Sequence, residues 1–578
     1  MFDSENRECG HVRSIARREF LLRAARWCVA IVGICLVACG AYAGYGIWRN
    51  KHLESQAHDF AARGDMQSAV LAARHLLQID RSNLTATRVI AELADQSGRP
   101  EAIEWRKAVA ALEPKNSENH VALATTALRF GQVELAARSL DCVESKLRDT
   151  ARIHQLAGAI ALGQHKLEAA EEHFAAALEQ DRGNDQIALN LATIRLASSR
   201  AGAAESAREA LTRLTEQKAV RTAALRSLAA DAVAHRDQLN EDRWSAALVQ
   251  EPSASFADFL LRLEATQSTD GAEAAMAECQ QRAKGNSAHA VDLIAWMNRH
   301  ELAREAFAWS NSLDTKVREA QPVPLAIAES LSCMSDWQGL LDFVQNTSWG
   351  KEEPVRLAIE SHALRHAKSG AESSAEAGAK WRAALNAARG HVDQLATMAT
   401  LADGWGYRAQ AADAWWTIAN GNAKTKEALG ALQRLYKIAH DSRGLLRVAK
   451  RAFELNPEDL VAENNCASLG LLLNADSASH RLAAKLHDEH PDNAVFAATY
   501  AFSLHLQGKT ADALRVLERL REAQLRQPAL AVYYVMMLAE NGNTERALSF
   551  LPAARQASLL PEEQQLLTDA ARKLNTRS

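Results

Sequence analysis

Small and apolar residues recur every 34 positions along most of this chain, and that constant interval restricts the fold more than any single motif. Ala102, Ala136, Ala170 and Ala204 step by 34, and Ala69 precedes them by 33. The same step of 34 links Ala377, Ala411, Leu445, Ser479, Ala513 and Ala547. Another apolar residue follows after seven positions, two turns further along a helix: Leu76, Val109, Val143, Ala177 and Leu211, then Ile418, Ala452, Leu486, Leu520 and Ala554. Gly64, Gly131, Gly406, Gly508 and Gly542 stand five residues before the small position, where a chain must reverse. Pro114, Pro457 and Pro491 stand twelve residues after it, where a helix must stop. A helix, a tight turn and a second helix fit this interval, and an alanine at the crossing lets the two approach closely.

The rest of the composition agrees. Ala, Leu, Arg and Glu dominate, and alternating Val/Ile runs are scarce, so an all-α chain without substantial sheet is expected. In the unit 151–184, Gly158, Ala170, Phe174 and Ala177 occupy the eighth, twentieth, twenty-fourth and twenty-seventh places. The unit 494–527 supplies Tyr500, Ala501, Gly508, Ala513 and Leu517. On these residues the chain resembles the tetratricopeptide repeat (TPR) family, although the family's Trp in the fourth place and Tyr in the eleventh are mostly missing. The resemblance covers 53–218 and 377–556 and implies a TPR-like α-solenoid, a right-handed superhelix of helix hairpins. Residues 219–376 diverge, yet Ala204 and Ala377 lie 173 apart, close to five periods. Fragments around Ala303 and Trp337 read as second helices. Breaks are expected at 266–271, 321–324 and 369–378, where turn-formers cluster. Residues 557–578 read as a C-terminal capping helix, with Leu566, Leu567, Ala570 and Leu574 on one face. About fifteen helix pairs are expected in all.

Ahead of the repeats, Trp27 to Trp48 contains no charged residue, and its length matches the ~30 Å hydrocarbon core of a bilayer. It reads as a transmembrane helix with interfacial Trp at both ends. The tail 1–26 is basic, with Arg13, Arg17, Arg18, Arg23 and Arg26 against Arg49, Lys51 and Arg63 beyond the span. That bias predicts a cytoplasmic N-terminus and an exported body, a single-pass protein of a bacterial inner membrane with its solenoid in the periplasm. Leu36-Val37-Ala38-Cys39 resembles a lipobox, so lipidation of Cys39 in a lipoprotein is the alternative. Gly40 and Gly44 form a GxxxG pair that would suit a homodimer of membrane helices, though one pair is a weak signal.

Motifs for chemistry are sparse. With a formal net charge of -4 no basic stripe exists to neutralise phosphates, so nucleic acid is not expected as a partner. Cys142, Cys279, Cys333 and Cys466 are far apart and read as buried apolar thiols. Gly508-Lys509-Thr510 lacks the upstream Gly of a phosphate loop, since Ser503 stands there, and Gly404-Trp405-Gly406 is a repeat turn. His362 and His366 share a helix face but have no third ligand, and read as an exposed pair rather than a metal site. No cofactor, metal or catalytic residue is expected. An enzyme would need a site hidden in 219–376.

In TPR-like arrays the first helices line the concave face at unit positions near 2, 5, 9 and 12. In the last two units this rule selects Val495, Phe502 and His505, then Val532 and Met536, an apolar strip fit for the greasy side of a partner helix. The same strip could instead be covered by the capping helix. The carboxylate clamp of TPR co-chaperones is missing, its places being taken by Val121 and Thr125, Gln155 and Ala159, Leu189 and Thr193. The resemblance then implies a membrane-anchored scaffold for protein partners in envelope assembly, polysaccharide export or secretion. The alternative is a cytosol-facing adaptor that recruits a soluble enzyme or regulator.

Overall fold

A computed structural model describes residues 48–577, apart from 199, 201, 368, 369 and 422. Every regular element among the described residues is helical. Two compact units divide the chain, Met1–Cys279 and Gln280–Ser578. In the first unit, a helix over 48–62 pairs with Met66–Ile79, and hairpins follow through Leu84–Gln96 and Ala102–Leu112, Ser117–Arg129 and Val133–Asp141, Ala151–Gly163 and Leu167–Gln180, and onward to Phe256–Thr266. The second unit runs in the same way from Ser287–Arg299 to Thr544–Ala554 and closes with Pro561–Arg577. Four-residue helices at Ser145–Arg148, Thr315–Arg318 and Glu522–Leu525 are the small insertions between hairpins.

The 34-residue rhythm has the local causes inferred for it. Gly64, Gly131, Gly406, Gly508 and Gly542 all have φ between 72 and 82°, the left-handed turn between two helices of a hairpin. Helices end at Leu112, Leu455 and Glu489, two residues before Pro114, Pro457 and Pro491. Starts are marked by Asn and Asp: Asn184 accepts from the Ile187 N–H, Asp336 from Gly339 and Asp476 from Ser479. Ala69, Ala102, Ala136, Ala170, Ala377, Ala411, Ala513 and Ala547 are completely buried, as close helix crossing demands. Phe174, Trp415 and Leu517 fill the large position beside them and are also buried. The eighth and twenty-fourth places interlock, since a Cβ built on Gly158 would lie 2.8 Å from the Phe174 ring.

Several expectations need correction. Ala204 is only half-buried, and Ala207, Leu211 and Leu214 carry the packing of that helix, so the register slips by about one turn there. No break spans 369–378. The helix Ala371–Ala387 starts directly after Gly370, because the Ala and Glu of that run favour helix over turn. The break expected at 321–324 is shorter: 321 and 322 form the turn, and 323 and 324 already belong to the helix Val323–Cys333, with Pro in its first turn. The turn expected at 266–271 is present over 267–271. Cys279 and Cys466 are buried, but Cys142 and Cys333 are exposed, because both stand at helix ends. Among the described residues no helix is long and apolar enough to cross a membrane. The span Trp27–Trp48, with Cys39, Gly40 and Gly44, lies outside the described residues except for Trp48 itself, as does the tail 1–26.

Candidate functional site

The strip selected in the last two units is closed. Phe502, Val532 and Met536 are buried, His505 is half-buried, and only Val495 is well exposed. The helix Pro561–Arg577 lays Leu567, Ala570 and Leu574 into the cluster that contains Phe502, Val532 and Met536. Polar contacts hold it in register. The Tyr533 hydroxyl donates to Glu563 at 2.6 Å, the Ser442 hydroxyl donates to Glu562 at 2.5 Å, and Lys573 pairs with Glu540. Burial and the Glu563 carboxylate push the Tyr533 phenol well above its ordinary range, so it stays a donor. Burial lowers His505, which sits near Glu540 and Lys573. The strip as a free docking groove is therefore corrected: the chain covers its own most apolar first helices, where leaving them wet would cost most.

An open cavity lies elsewhere, in hairpins 323–346, 353–387 and 392–419. It encloses about 560 Å³ and draws on three successive first helices. Leu325, Ala328 and Ser332 come from Val323–Cys333, Ile359, His362 and His366 from Glu353–Ala367, and Thr400, Leu401 and Gly404 from Val392–Gly404. Leu325 and Ile359, Ala328 and His362, Ser332 and His366, and His366 and Thr400 are each 34 apart. Counting back from Ala377 as the twentieth place puts Ile359, His362 and His366 at places 2, 5 and 9 of their unit. The concave-face rule thus finds this cavity when applied to the middle of the chain. Divergence of that stretch hid it.

Five rings assemble one wall. His362 stacks on Trp405 with centroids 4.1 Å apart and planes 2° from parallel, and His366 stacks on Trp337 at 4.3 Å. Trp337 opens the helix Trp337–Asn346 and Trp405 follows the helix Val392–Gly404, so they project from opposite sides of two inter-helix turns. Tyr407 lies under the pair. Its hydroxyl is 2.9 Å from His362 Nδ1 and 2.9 Å from His366 Nε2. A phenol has one proton, so it donates to one imidazole and accepts from the other, which couples the two tautomers. Arg365 stacks over the Tyr407 ring at 5.0 Å.

Of the two histidines, His366 is exposed as expected, but His362 is buried. Nδ1 of His362 and Nε2 of His366 are both committed to Tyr407. Among the described residues no group of three or more His, Cys, Asp or Glu could hold a metal ion. Burial, with His366 and Arg365 nearby, lowers His362 to about 3, so it is neutral at physiological pH. Partial desolvation and the Glu329 carboxylate push the thiol of the exposed Cys333 up, which disfavours the nucleophilic thiolate. Burial also raises the Tyr407 phenol.

No protein-family model matches the chain, and no curated protein matches its sequence. Among solved structures, one match is the MamA RS-1 ArsTM double mutant, at 18% identity over 29% of this chain and 93% of that one, with a TM-score of 0.27. PilF of Pseudomonas aeruginosa is 17% identical over 38% of this chain and 97% of its own, with a TM-score of 0.31. The APC/C hetero-tetramer Cut9–Hcn1 is 12% identical over 79% and 96%, with a TM-score of 0.30. At such identities and scores no function is transferred. The helical-repeat character rests on the hairpins, their interval and their buried alanines.

Proposed function

We propose that this chain is a membrane-tethered scaffold that holds protein partners on the first helices of its second unit. The observation that carries this reading is the open cavity shared by three successive first helices, lined by rings and aliphatic side chains whose ionisable neighbours are held unreactive. Such a surface offers contact area and orientation, the two requirements of recognition. The uncharged segment Trp27–Trp48 supports a tether, and the arginines before it support a cytoplasmic N-terminus with the repeats exported from a bacterial cell. Within that compartment the reading points to envelope assembly, polysaccharide export or secretion.

Photo-crosslinking from position 325 or 400 in native membranes, followed by mass spectrometry, tests the scaffold. Discrete protein adducts that vanish when the probe is moved to exposed Leu239 are expected. Adducts to lipid alone, or none, would sink the reading. A reporter fused after Ser578 that works only in the cytoplasm should stay silent. Activity there would reverse the topology in favour of an adaptor facing the cytosol.

A further inference from the structure

We infer that the terminal helix Pro561–Arg577 is an internal stand-in for an amphipathic helix of a partner protein, which displaces it from the inner groove of the last three hairpins. Its placement differs from that of a repeat. Elsewhere in these hairpins a first helix rests chiefly on the second helix before it, as Leu460–Leu473 does on Ser442–Leu455 and Ala494–Leu506 on Ser477–Glu489. A helix that merely finished the stack would do the same. The terminal helix instead lies chiefly along the first helix Pro528–Glu540 and also reaches Leu460–Leu473, two hairpins back. The second helix Thr544–Ala554 is left with Leu548 exposed. The terminal helix is thus seated in the groove as a bound helix would be.

Its hold is slight and its fit incomplete. Among its described side chains only Leu567, Ala570 and Leu574 are buried, in the cluster of Phe502, Val532 and Met536. Lys573 and Glu540 are both exposed, so their ion pair adds little. Residues 555–560, ahead of the helix, are a tether without regular structure. Beside Leu559 and Leu560 of that tether an open cavity of about 540 Å³ remains, lined by Leu445, Val448, Leu469 and the exposed Val461. A partner helix with further apolar side chains ahead of its groove-filling ones would occupy this cavity too, and there it gains over the chain's own helix. The stand-in shows the rest of the partner's chemistry. It needs apolar side chains at the spacing of 567, 570 and 574 and carboxylates in its first turn to accept from the Tyr533 and Ser442 hydroxyls. Near its end it needs a cation for Glu540.

The inference rests on the second unit being a protein-binding surface, and its test separates the two. In the full chain, purified in detergent, amides 566–577 should exchange at least ~100-fold faster than amides 532–539, because the helix leaves without the groove unfolding. A fluorescent peptide of residues 558–578 then reads the vacated groove by anisotropy. The full chain with Leu567→Asp and Leu574→Asp should bind it at least ~10-fold tighter than the intact chain, whose tethered helix competes at an effective concentration on the order of millimolar. Circular dichroism should show this double variant folded, and the milder Leu574→Ser repeats the comparison. With a benzophenone at position 566 the peptide should label Pro528–Glu540. In native membranes a photo-probe at position 536 should give discrete protein adducts in the double variant, and should attach mainly to the chain's own terminal helix in the intact protein.

Exchange of 566–577 no faster than that of 532–539 would make the helix a fixed part of the fold and overturn the inference. So would a peptide that binds the intact chain and the double variant alike, or one that labels another element. Dimers of the intact chain that dissociate in the double variant would assign the groove to a second copy's helix, and would overturn the partner as well. Adducts from position 325 or 400 that persist beside any of these results would leave the scaffold standing without a displaceable helix.

Discussion

The hairpin Ala151–Gln180 and the hairpins between Val323 and Ala419 obey one packing scheme with opposite outcomes. In the first, Gly158 admits the Phe174 ring, Ala170 and Ala177 are fully buried, and the seam is filled. In the second, the buried seams persist at Ala377, Trp381, Ala399, Ala411 and Trp415, but rings gather on the first-helix side and leave a cavity. The lesson is that the seam and the lining face of a repeat are separate. Seam positions keep helices together, and lining positions are free to acquire chemistry.

The sharpest way to break this comparison is Phe174→Ala, which should cost ~3–5 kcal/mol by emptying a filled seam. Hydrogen exchange should show the loss confined to neighbouring hairpins, since each repeat packs mainly on its neighbours. Uniform loss of protection across the whole chain would contradict that. Gly158→Ala comes next. It forces a methyl against the Phe174 ring, with an expected cost of ~1–3 kcal/mol in urea denaturation.

A pH series probes the open region. His362 titrates at about 3 in the folded chain against an ordinary value of 6.5, so between these values the unfolded chain binds more protons. Its contribution to stability is complete above pH 6.5 and is lost as the pH falls toward 3. His362→Phe should flatten this dependence in the second unit and leave the first unchanged, as followed by exchange from pH 7 to 4. The smallest effect belongs to Glu329→Gln, which should alter stability by less than ~0.5 kcal/mol, as exposed and unpaired groups do. A larger change would mean that Glu329 supports the fold.

Much of the architecture was legible beforehand. Glycine before five of the small positions and proline after three of them fix turns and ends through backbone geometry alone, and neither needs a distant partner. Register was lost where local signals were weak, at Ala204, because an Ala-rich run satisfies several registers nearly equally. The site was legible in rule and missed in place. Positions 2, 5 and 9 do line the surface, yet apolarity drew attention to Phe502, Val532 and Met536, which the chain covers itself. His362 and His366 were read as an exposed pair and Trp405 as part of a turn, because the contacts that join them to Tyr407 span up to 45 residues along the chain.

The sequence by itself determined an all-helical chain of 34-residue hairpins, their turns and stops, and which side of each first helix faces inward. These depend on periodicity and local backbone preference, which act within a single unit. Only the tertiary structure decided which part of that inner side is sealed and which stays open. That choice depends on where a terminal helix folds back and how rings from separate hairpins stack, and neither is encoded within one period.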